Sequence, residues 1–95
     1  MSEKKKNEVS IEISKDVEGG NYANQAFIIH SRKEFILDFG LALPTRNIRV
    51  QSRIITNPTD AKAISMALEE NIKNYEKKYG TIPVPQPVPE NTPIH

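Results

Sequence analysis

Arg46, Arg49 and Arg53 fall within eight residues of one another, and Arg49, Gln51 and Arg53 occupy every other position of "IRVQSRIIT". Alternating arginines on an exposed strand can track phosphates, and a two-stranded ribbon can enter a major groove. Nucleic-acid contact through Arg46, Arg49 and Arg53 is therefore one expectation. Two features weigh against it. Asp38 is expected opposite Arg53 and would neutralise it, and Phe35 and Phe39 belong to the other face, leaving no aromatic ring for base stacking. Residues 8 to 80 also hold ten Lys plus Arg against ten Asp plus Glu, so there is no basic excess.

Other reactive side chains are sparse. His30 precedes a polar "SRKE" turn, and Glu34 is the one acid near it in sequence that could orient it as a base. His30 and His95 are too far apart in sequence to suggest a metal site, and the chain has no cysteine, which excludes disulfides, thiolate nucleophiles and Cys-ligated zinc. Gly19-Gly20 has no further glycine at nucleotide-fingerprint spacing and reads as a turn. Tyr22, Asn24 and Gln25 put polar groups at the start of a strand, where amides either meet water or bond a neighbouring backbone. No catalytic residue, cofactor site or metal site is expected, and the protein is not expected to be an enzyme.

The elements that would position these groups follow from periodicity. "EVSIEIS" alternates Val9, Ile11 and Ile13 with polar residues, the pattern of a strand with one buried face. Phe27, Ile28 and Ile29 form a consecutive apolar run that suggests a second strand. "FILDFGLAL" puts Phe35, Leu37, Phe39, Leu41 and Leu43 on one side of a third strand, and "IRVQSRIIT" supplies a fourth. A four-residue loop over 44–47 would set Leu43 opposite Ile48, Leu41 opposite Val50, Leu37 opposite Ile54, Asp38 opposite Arg53 and Ile36 opposite Ile55.

A helix follows. Asn57 can cap it, Pro58 suits its first position, Asp60 complements its N-terminal dipole, and Gly80 can end it. Ala61, Ile64, Leu68, Ile72, Tyr75 and Tyr79 make one apolar stripe, and Glu69 and Lys73 a favourable i,i+4 pair. The expected fold class is α+β: an antiparallel four-stranded β-meander followed by one long C-terminal amphipathic helix packed on one sheet face.

The ends differ from this segment in composition. "MSEKKKN" is charged, and the last fifteen residues hold five of the seven prolines. The expected organisation is a disordered tail over 1–7, a single domain over 8–80 and a Pro-rich extended or disordered tail over 81–95. Proline at every second position of "PVPQPVP" favours polyproline II geometry, without the three-residue spacing that proline-groove binders read. No apolar run approaches the roughly 20 residues needed to span a bilayer, and no apolar stretch follows the first lysines, so a cytoplasmic protein is expected.

One helix covers only part of one sheet face, yet Ile36, Ile55 and Ala42 are expected on the other. A surface of that kind in so short a chain points to self-association through Ile36, Ile55 and Ala42, with a homodimer as the simplest assembly. A helix swapped between copies would produce the same pattern. A non-enzymatic protein-interaction or adaptor module is the first expectation for function, nucleic-acid binding the second and an enzyme of unknown class the third.

Several local motifs carry a resemblance: "YAN" at Tyr22–Asn24, His30 and Ser31 before Glu34 and Phe35, "LDF" at Leu37–Phe39, and "SRI" at Ser52–Ile54. Pro58, Ala61 and Lys62 at the helix start, and Leu68, Asn71, Ile72, Tyr75 and Glu76 within it, extend it. Over roughly residues 9 to 80 the chain resembles a family of small bacterial and archaeal proteins of about a hundred residues, catalogued as a domain of unknown function. The resemblance implies one compact domain and transfers no catalytic residue.

Overall fold

In the computed structural model, residues 8–84 are described, so the expected tail 1–7 and all but residues 81–84 of the expected tail 81–95 fall outside the description. The order of elements is α1 (Lys15–Glu18), β1 (Gln25–His30), β2 (Phe35–Ala42), β3 (Ile48–Thr56) and α2 (Pro58–Tyr79). The strands form one antiparallel sheet in the order β1-β2-β3.

The fold is α+β with three strands among the described residues, not the four expected. The missing strand is "EVSIEIS". Residues 8–14 carry its alternation but have no ladder, and Val9 and Ile11 stand 85% and 93% exposed. A period-two pattern produces a strand only beside a free edge, and here the chain turns through α1 and Gly20, whose φ is +71°, before β1 begins.

The β1–β2 turn is tight. Ser31 N–H donates to the Glu34 carbonyl, and Ser31 Oγ accepts from the N–H groups of Lys33 and Glu34. Its register pairs His30 with Phe35, Ile28 with Leu37 and Phe27 with Asp38. His30, Ile28 and Ala26 therefore share a face with Phe35, Leu37 and Phe39, whereas Ile29 and Phe27 share the opposite face with Ile36 and Asp38.

The β2–β3 hairpin departs from its expected register at one end. Ile36 faces Ile55, Leu37 faces Ile54 and Asp38 faces Arg53, as expected. Beyond Phe39, however, Gly40 faces Val50, Leu41 faces Arg49 and Ala42 faces Ile48, which replaces the Leu41–Val50 and Leu43–Ile48 pairs. The loop is the reason. Leu43 N–H donates to the Asn47 carbonyl and Arg46 N–H to the Leu43 carbonyl, so the loop is three residues, with Arg46 in the left-handed region at φ 69°. That shifts the ladder by one, and a bulge at Gln51 restores the pairing of the distal end. Gly40 is buried beside the bulge, where a Cβ would lie 2.9 Å from the Arg49 carbonyl oxygen and 3.0 Å from Ile48 Cγ2.

Helix α2 spans 22 residues, about 33 Å at 1.5 Å per residue. Asn57 caps it reciprocally: its Oδ1 accepts from Asp60 N–H at 2.7 Å and its Nδ2 donates to Asp60 Oδ2 at 2.9 Å. The Glu69–Lys73 pair forms at 3.7 Å. Gly80 ends the helix at φ 102°, ψ 168°, positive in φ but outside the left-handed helical region, and Ile82 N–H closes onto Glu76 Oε2.

Candidate functional site: an apolar cleft between helix and sheet

The expected basic row does not exist as a row. The bulge at Gln51 inverts the alternation, so Arg49 lies on the Leu41 face and Arg53 on the Asp38 face, while Arg46 belongs to the hairpin loop. Arg53 is also engaged: its Nε and Nη2 donate to Asp38 Oδ1 and Oδ2 at 2.7 and 2.8 Å, a two-pronged pair. Asp38 is 2% exposed, under an Arg53 side chain that is 52% exposed. The hydrogen bond from Arg53 holds the Asp38 carboxyl below its ordinary value. Desolvation opposes that shift, and the Arg53 charge adds to it. Arg53 is correspondingly raised.

Of the polar groups singled out at the start of β1, Asn24 serves the sheet's own backbone. Asn24 N–H donates to the Gly40 carbonyl and Asn24 Oδ1 accepts from Ala42 N–H, which continues the β1–β2 ladder past its last paired residue. Gln51 Nε2 reaches from β3 to the Tyr22 carbonyl on the far side of β2. His30 stacks on Phe35 with ring centroids 5.4 Å apart. A polar notch of about 710 Å³ beside it includes Ser31, Lys33, Asn57 and Asp60. The Ser31 and Asn57–Asp60 side chains there are occupied by turn and cap hydrogen bonds. Among the described residues no group of three or more His, Cys, Asp or Glu is placed to hold a metal ion.

The apolar groups are arranged differently. The first three turns of α2 lean over the face that carries Ala26, Ile28, Phe35, Leu37 and Phe39, and Pro58, Ala61, Ile64 and Leu68 form the opposite wall. Between them lies a cleft of about 600 Å³ lined mainly by apolar side chains. The helix does not seal it: no residue of α2 is buried, and Leu68, at the centre of the stripe, is 60% exposed. Past Leu68 the stripe continues with Ile72, Tyr75 and Tyr79, all exposed, the two tyrosine rings resting against each other at 4.9 Å. On the opposite face, Ile29, Ile36 and Ile55 form a cross-strand row, and Ala42 pairs with Ile48 farther along. No apolar side chain among the described residues is buried.

The stripe, Phe35, Leu37 and Phe39 were legible in the sequence. The cleft was not, because a helix expected to pack on the sheet leaves no gap. Ile28 was missed as a lining residue, since its consecutive apolar run does not say which side of β1 meets the helix.

Fold and site together define a small α+β protein whose sheet and helix flank an open apolar cleft. The chain belongs to a family of proteins of unknown function, DUF3467, whose model matches residues 1–83. No curated protein and no solved structure matches the chain.

Proposed function

We propose that the protein is a non-enzymatic, homo-oligomeric binding module, dimeric in its simplest form, that works through protein–protein contacts in the cytoplasm. One observation carries this reading: the described residues bury no apolar side chain, although apolar rows lie on both sheet faces and along the helix. Apolar burial is the main favourable term in folding, and a short chain that leaves such rows in water gains stability by covering them against protein. The face of Ile36, Ile55 and Ala42 is one available surface, the helix–sheet cleft another. Among the described residues no helix is long and apolar enough to cross a membrane.

Nucleic-acid binding through Arg46, Arg49 and Arg53 draws less support, because the register separates these residues and Asp38 engages one of them. Light-scattering mass across a size-exclusion peak, with absorbance followed at two wavelengths, tests both readings. With three tyrosines and no tryptophan, the chain would show co-purifying nucleic acid plainly. The expected result is a dimer or larger species with the absorbance of protein alone. A monomer would overturn the reading, and a nucleic-acid absorbance that high salt removes would replace it with the second.

A further inference from the structure

We infer that the surface joining the copies is the helix–sheet cleft: two chains meet about a two-fold axis through their α2 stripes, each closing the other's cleft. The inference rests on the reading that the chain self-associates, and it names the face. The first argument is area. The chain exposes 9382 Å² in all. Subtracting the most that the eighteen residues outside 8–84 could contribute, about 2,900 Å² at the extended-chain scaling, leaves about 6,500 Å². A compact monomer of the remaining mass would expose about 4,700 Å². The excess, about 1,800 Å² per copy, is shared between the α2 stripe and the exposed residues 9–22, and even half of it matches what a standard interface covers on each partner.

The second argument is chemical. The face of Ile36 and Ile55 is crossed at its middle by the Asp38–Arg53 pair, already satisfied and with Arg53 half in water. Covering it would desolvate a charge for little apolar gain. The cleft has no such charge pair between its walls; its polar lining is Lys62, whose long stem can carry the ammonium out to the rim, and Ser65. Its rim continues directly into Ile72 and Tyr75, which extend beyond the turns that lean on the sheet. A two-fold contact presents the same patch from both copies, so a stripe half over its own sheet and half beyond it is self-complementary. The occupant is therefore a second copy, and the Ile36–Ile55 face stays outward in the assembly.

The absence of cysteine makes the test direct. Single substitutions Ile64→Cys, Leu68→Cys and Ile72→Cys place a thiol along the stripe, and Ile36→Cys and Glu70→Cys place one elsewhere. Each full-length variant is oxidised mildly and its covalent dimer read on a non-reducing gel, with wild-type mass and circular dichroism alongside. A residue nearest a two-fold axis meets its own counterpart, so at least one stripe variant is expected to cross-link in majority yield while Glu70→Cys and Ile36→Cys do not. Cross-linking of Ile36→Cys alone, with a dimeric wild type, would overturn the cleft and leave self-association standing. A monomeric wild type would overturn both. Uniform slow cross-linking of all five variants would also reject the cleft, since it reports random collision.

Discussion

At Asp38, two oxygens bound by one guanidinium give the sheet its most specific polar contact. The folded state lowers the Asp38 pKa, so between that value and the ordinary 3.8 the unfolded chain binds more protons. The pair's contribution is thus fully present above about pH 4 and lost as pH falls through the lowered value. Asp38→Asn is expected to destabilise the protein at neutral pH and to flatten the acid limb of its stability curve below pH 4, read by urea unfolding at several pH values. Gly40 is a constraint of another kind. A methyl at Gly40 would press on the Arg49 carbonyl, which is backbone and cannot rotate away. Gly40→Ala is expected to cost about 1–3 kcal/mol, the usual range for overpacking, measured as a shifted denaturation midpoint. The Asp38–Arg53 pairing was expected from the strand register, whereas the role of Gly40 was not legible, since a glycine in mid-strand also reads as mere weakness.

Among the elements, α2 was the most legible because its signals agree: Asn57, Pro58 and Asp60 open it, and one apolar stripe runs to Tyr79. Asn57 provides the cap with a hydrogen bond in each direction. Asn57→Ala is expected to cost about 1 kcal/mol, with helical circular dichroism at low temperature nearly unchanged. The β2–β3 hairpin was legible only at the end where Asp38–Arg53 and Ile36–Ile55 reinforce each other. Its other end was not, because the left-handed loop position is an arginine rather than a glycine, and Gly40, which sits beside the bulge, does not by itself say which residue of β3 is the extra one. The segment 8–14 shows the converse. Its alternation states which face is apolar, but a strand also needs an edge to bond, and that lies outside the segment's own sequence.

For the whole molecule, the faces of β2 and the helix stripe could be read from the sequence, but the facing of β1, that of β3 before the bulge and the gap between helix and sheet could not. Whether a helix seals a sheet depends on its angle and height, and periodicity fixes neither. The open cleft has a thermodynamic consequence that a sealed one lacks. If apolar burial is completed only between copies, folding and association are one equilibrium, and stability rises with protein concentration. A hundredfold increase in concentration adds about 2.7 kcal/mol to a coupled two-chain unfolding reaction, since each factor of ten is worth about 1.4 kcal/mol. Spread over the unfolding entropy of two such chains, that is expected to raise Tm by about 5–10 °C, followed by circular dichroism from micromolar to submillimolar protein. A Tm independent of concentration would mean that each chain is stable with its apolar rows in water. The excess exposed area would then belong to an extended monomer, and the cleft would be free to receive a different protein.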